Sequence, residues 1–124
     1  MVHDYEVEYD LVQRLLESRE VRALVGDNVF PVYIDRGTKG DAVYYDSELD
    51  EPDRTKMGTY RRTLRFYVCA VGWDMDRVNR IVAAVQDTLE GTYAGPWMEI
   101  VAVGSRKDVV DKKYFKSMEF TVQW

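Results

Sequence analysis

Two stretches of helical periodicity set among strand-like alternations predict a single α+β domain. The expected architecture is two helices packed on a four- or five-stranded, mostly antiparallel or mixed sheet, in the order α-β-β-β-α-β-β. The chain has 124 residues, enough for one core that buries roughly two-thirds of the unfolded surface. With 46% apolar and 31% charged residues it has a globular balance. It shows neither an internal repeat nor a linker, so residues 1–124 are one domain.

The first helix is expected over residues 9–25. There Leu11, Val12, Leu15, Leu16, Val21, Leu24 and Val25 recur at three- and four-residue steps, and Gly26 follows as the residue that ends it. A short strand over 29–34 contains Pro31, whose missing N–H suits an edge or a bulge. Residues 42–47, with Val43, Tyr44 and Tyr45, make a second strand. Residues 48–58 are polar and contain Pro52, which predicts a long exposed loop. In the long strand over 59–71, Leu64, Phe66, Val68 and Ala70 share one side, while Arg61, Arg62 and Arg65 mark a wet first half. Tyr67, Cys69 and Val71 make its second half apolar on the other side too.

Asp74 or Asp76 caps a second helix to Glu90, with Val78, Ile81, Val82, Val85 and Leu89 on one stripe and Gly91 as its stop. A fourth strand spans 98–103. The closing segment alternates: Tyr114, Met118, Phe120, Val122 and Trp124 face one way, and Phe115, Ser117, Glu119, Thr121 and Gln123 the other. Met118, Phe120 and Val122 are expected to pack against Leu64, Phe66 and Val68.

Catalytic patterns fail one by one. The one histidine, His3, lies at the start of the chain, so no histidine triad or His-rich zinc site can form. Cys69 sits mid-strand with no positive partner in view and reads as an inert thiol. There is no Gly-Lys dipeptide for a phosphate loop, and Gly37-Thr38-Lys39-Gly40 is too short for a dinucleotide fingerprint. Asp46, Glu48 and Asp50 alternate as calcium-loop ligands do. Glu51 then stands where a glycine is needed, and Met57 where a glutamate is needed. The expectation is no catalytic residue, no metal and no cofactor.

Charge is grouped along the chain. The net charge is −5. Between Asp41 and Asp53 lie six carboxylates (Asp41, Asp46, Glu48, Asp50, Glu51, Asp53) and no base. From Arg54 to Arg65 come five bases (Arg54, Lys56, Arg61, Arg62, Arg65) and no acid. Arg106, Lys107, Lys112, Lys113 and Lys116 form a second basic stretch. Such groups mark either partner-facing surfaces or solvated loops that pair within the subunit. As interaction candidates they single out Asp46, Glu48, Asp50, Glu51, Asp53, Arg61, Arg62, Arg65, Arg106 and Lys107. Tyr60, Arg61, Arg62, Arg65, Phe66 and Tyr67 interleave bases with aromatics as nucleic-acid platforms do. Phe66 belongs to the core register, however, and the acidic stretch repels phosphate, so nucleic acid is not the expected partner. No apolar run approaches the ~20 residues that span a bilayer, and the first residues lack a signal-peptide pattern. The expectation is a cytoplasmic protein without a membrane partner.

The arrangement as a whole resembles the tail-completion, or tail-terminator, proteins of long-tailed bacteriophages. The likeness runs through Val25-Gly26-Asp27-Asn28-Val29-Phe30-Pro31, Val43-Tyr44-Tyr45, the strand Leu64-Arg65-Phe66-Tyr67-Val68, the second helix and the closing Phe120-Thr121-Val122-Gln123-Trp124. It implies a non-enzymatic α+β subunit that assembles as a ring in the bacterial cytoplasm. In the virion such a ring caps the tail tube and joins it to the head, against tail-tube and head-connector proteins. The stretch from Glu48 to Asp53 is particular to this chain, so no contact residues carry over. The alternative is a small bacterial adaptor that binds through the same loop and an edge strand.

Overall fold

The computed structural model describes residues 3–32, 40–49, 53–54, 60–92 and 99–124. Its elements are α1 (Asp4–Glu17), α2 (Arg19–Val25), β1 (Val29–Pro31), β2 (Ala42–Leu49), β3 (Asp53–Arg54), β4 (Tyr60–Arg61), β5 (Thr63–Gly72), α3 (Met75–Leu89), β6 (Gly91–Thr92), β7 (Glu99–Val110) and β8 (Lys113–Gln123). The α+β class is the expected one. Among the described residues the main sheet has six strands, ordered β1-β2-β5-β8-β7-β6, and β3 pairs with β4 as a small separate hairpin. Among the described strands only the β1–β2 pairing is parallel; the others are antiparallel. The strand beyond the expected five is β6, two residues long, with no periodicity of its own.

The expected first helix is two helices. Ser18 leaves the helical region (φ −68°, ψ 123°) and caps α2, its Oγ accepting the Val21 N–H at 3.3 Å. It also joins Thr88 Oγ1 of α3 in a 3.0 Å hydroxyl–hydroxyl bond. A capping serine therefore interrupts an apolar stripe that continues across the break, with Val7, Leu11, Leu15, Val21 and Val25 all buried. The start lies earlier than residue 9, because the Glu6 carboxylate accepts the His3 backbone N–H at 2.9 Å and secures a first turn. Gly26, with φ +60°, ends α2 as expected.

β1 is shorter than the expected 29–34. Val32, whose N–H still donates to the Tyr45 carbonyl at 2.7 Å, leaves the strand region at φ +49°, and residues 33–39 lie outside the described set. Pro31 lies on the edge strand. Glu48 and Leu49, expected in the loop, are paired residues of β2, opposite Arg65 and Leu64. Asp53–Arg54 likewise forms strand with Tyr60–Arg61, and the rest of 48–58 lies outside the described residues. The long strand is divided at Arg62, whose backbone N–H and C=O both bond Trp124. Glu90 rather than Gly91 closes α3, and Gly91 (φ +144°) already opens β6. β7 runs to Val110 instead of 103, through a bulge between Ala102 and Gly104.

The three helices cover one face of the sheet. Leu64, Phe66 and Val68 stand opposite Val122, Phe120 and Met118 in the β5–β8 ladder. Phe66 and Phe120 are fully buried, and Val78, Ile81, Val82, Val85 and Leu89 of α3 close over them. Met118 is half-buried at the margin. Arg77 ties the layers together: its guanidinium pairs with Asp41 before β2 and donates to the Leu24 carbonyl at the end of α2. Gly72 permits this closure, since a Cβ there would lie 2.5 Å from Asp41 Oδ1.

Candidate functional site

The acidic stretch and the first basic stretch, separate in sequence, are brought together in space. β2 and β5 run antiparallel, and so do β3 and β4, so parts of the acidic stretch stand beside parts of the basic stretch that follows it. Glu48 faces Arg65, with 3.7 Å between Oε1 and Nη2. Asp53 lies in register with Arg61. Asp46 stands opposite Tyr67, whose phenol is bonded to Glu119 and pushed above its ordinary pKa by partial burial and by that carboxylate. Asp50 and Glu51 lie outside the described residues. Arg62 is held by its backbone at the sheet end. Exposed pairs such as Glu48–Arg65 hold a fold only weakly, because water screens them.

Arg106 and Lys107 belong to a different construction. Beyond the bulge, β7 and β8 continue as a two-stranded arm closed by Asp111 (φ +51°) and Lys112 (φ +68°) between paired Val110 and Lys113. Two consecutive left-handed residues make the tight turn that matches strand twist. Every residue from Val103 to Lys112 is exposed. Lys113 Nζ sits 5.2 Å from the Trp73 ring centroid, and Lys116 donates to Asn79 Oδ1 at 3.2 Å. Among the described residues Arg106, Lys107 and Lys112 have no ion-pair partner. β6 borders only Glu99 and Ile100. Next to it the Glu90 carboxylate accepts the Ala102 N–H at 3.0 Å, which together with Gln86 holds its pKa below the usual carboxylate range. From Val103 to Val110 no strand borders the outer side of β7 among the described residues. The signal for this arm lay in Val109-Val110 and Tyr114-Phe115, strand formers flanking an Asp-Lys turn.

On the helix-covered face, toward the β2 flank, α1 and β2 enclose an open groove lined by Tyr5, Glu6, Glu8, Tyr9, Val12 and Tyr45. Tyr5 and Tyr9 are 68% and 67% exposed, which marks them as surface aromatics rather than core. Glu8 accepts from the Ser47 hydroxyl, and partial burial followed by the Glu8 charge pushes the Tyr45 phenol above its ordinary pKa. This groove was not legible as long as the helix was placed from residue 9. Glu6, three residues after His3, was the missed capping signal.

The sheet face away from the helices carries a small apolar cluster of Ala42, Tyr44 and Val71 with Phe30, Cys69 and Phe115. Burial pushes the Cys69 thiol up to about 11, so at neutral pH it stays protonated and is not an activated nucleophile. Phe66 is fully buried and unavailable for base stacking. No described helix is long and apolar enough to cross a membrane.

These features define a class first: one α+β domain with three helices on one face of a mixed sheet and a free hairpin arm. No family model matches the chain, and no curated relative is found by sequence. Among solved structures, a chain in the virion of a native gene transfer agent particle shares the fold. The TM-score is 0.75 at 16% identity, over 91% of this chain and 90% of that one.

Proposed function

We propose that the chain is a non-enzymatic structural subunit of a phage or prophage particle, and that it serves there as a tail-completion protein. Assembled in the bacterial cytoplasm, copies form a ring that caps the tail tube and joins it to the head connector at the head–tail junction of the virion. The observation that carries this reading is the fold likeness to a gene transfer agent virion chain over nine-tenths of both molecules. The resemblance of Val25 to Pro31 and of the strand sequences to tail-completion proteins narrows it to that position. A surface with one basic arm and one acidic groove suits a subunit that binds neighbours by two different patches.

Deletion of the gene from an inducible prophage tests the reading by electron microscopy of the lysate. The expected outcome is filled heads separated from tails, many of abnormal length, restored by the wild-type chain. Immunogold label should fall on the head–tail junction of complete particles. Label on the capsid or baseplate would keep the structural subunit and overturn tail completion. Normal particles after deletion would overturn both.

A further inference from the structure

We propose that the β7–β8 arm of one copy seats in the tyrosine-and-carboxylate groove between α1 and β2 of the next, and that this contact builds the assembly. The proposal rests on the reading of the chain as a ring subunit and supplies the interface that reading lacks. The two surfaces are complementary in charge. The arm from Gly104 to Lys116 carries five basic residues against two acidic ones, while the groove is lined by two carboxylates, Glu6 and Glu8, and by no base; nearby Asp10 is paired with Arg14 at 2.8 Å. Arg106, Lys107 and Lys112 are exposed and have no ion-pair partner among the described residues. The groove offers Glu6 and Glu8 between the exposed rings of Tyr5 and Tyr9.

That chemistry fits a guanidinium or ammonium twice over, by carboxylate pairing and by stacking on an aromatic face. Arginine and tyrosine are also the residues that dominate interface energies. The positions fit as well. The groove belongs to the β2 side of the sheet and the arm to β7, with β5 and β8 between them. Strands about 4.8 Å apart put the two sites three steps from each other, so an arm does not return to its own groove. A patch on one flank that fits a different patch on the other makes a head-to-tail contact, which closes into a ring or runs on as a filament. Opposed charge sets the register and speeds encounter, so assembly should weaken as salt rises.

A charge swap tests this on the full-length chain by sedimentation velocity. One variant carries Arg106→Glu with Lys107→Glu, and the other Glu6→Lys with Glu8→Lys. Each alone repels its own kind, and association should fall at least about tenfold. Mixed in equal amounts, the reversed arm meets a reversed groove and the native arm meets a native groove, so assembly should return. Unchanged circular dichroism shows that each variant is folded. The interface is overturned if either variant assembles like wild type, if the mixture stays dissociated, or if wild type is monomeric at every concentration. It is equally overturned if wild type retains labelled duplex DNA and the arm variant loses that binding without a change in self-association, for the arm then serves nucleic acid. In particles the two readings separate. A deletion phenotype rescued by both variants removes this interface and leaves the structural subunit. Normal particles after deletion remove the subunit reading, while sedimentation still decides the contact.

Discussion

The two ends of the β7–β8 hairpin belong to the same antiparallel ladder and meet opposite environments. At one end Ile100, Phe120 and Val122 are buried against α3; at the other, everything from Val103 to Lys112 is exposed. The difference is length. α3 has 15 residues, a helix of about 22 Å, whereas the 12 residues of β7 extend about 40 Å. The strands outrun the helix that covers them. One half of the hairpin is core and the other half is surface, and only the second is free to evolve charge and contact a neighbour. Stability and assembly should therefore respond to substitutions at different ends of the same two strands.

The sharpest way to break this comparison is Phe120→Ala, expected to cost about 3–5 kcal/mol because the site is closed on all sides. Val109→Ala in the arm should stay within about 0.5 kcal/mol of wild type, as unsupported surface positions do. Urea unfolding of the two variants checks both, and a comparable loss at Val109 would show the arm to be part of the folding core. Next in size is Gly72→Ala, where the new Cβ meets Asp41 Oδ1 at 2.5 Å and Val78 Cγ2 at 3.1 Å. Displacing Asp41 loosens Arg77 and costs roughly 1–3 kcal/mol, read as a lowered unfolding midpoint.

Lys112→Gly works in the other direction. A side chain at φ +68° is strained, and glycine relieves that at some cost in unfolded-state entropy, for a net gain of roughly 0.5 kcal/mol. A lower melting temperature would show that the turn is not left-handed. The smallest effect concerns Glu90, at the boundary between the two halves. Its pKa is depressed in the folded chain, chiefly by the Ala102 N–H, so its contribution is full above the ordinary carboxylate range and fades as the pH falls below it. Melting curves of wild type and Glu90→Gln should differ near neutrality and converge in acid. A gap that persists in acid would remove the charge from the account.

The helix over Val78 to Leu89 was legible because its apolar stripe, its Asp74 cap and its burial all agree. So was the β5–β8 register, because alternation on two strands admits one pairing that buries both apolar sets. The break at Ser18 was hidden, because the apolar spacing survives across it while a single hydroxyl turns the backbone. The ends of β7 and β2 were hidden too, since exposed polar strands carry no periodicity to read.

Sequence by itself determined the fold class, the core residues and the absence of the familiar catalytic motifs, since each of these rests on local pattern and residue type. Tertiary structure alone decided where the charges meet. An antiparallel return sets Glu48 against Arg65, and a hairpin longer than its covering helix carries Arg106 and Lys107 into solvent. Electrostatic neighbours are fixed by which strands lie side by side, and no one-dimensional spacing of charges encodes that.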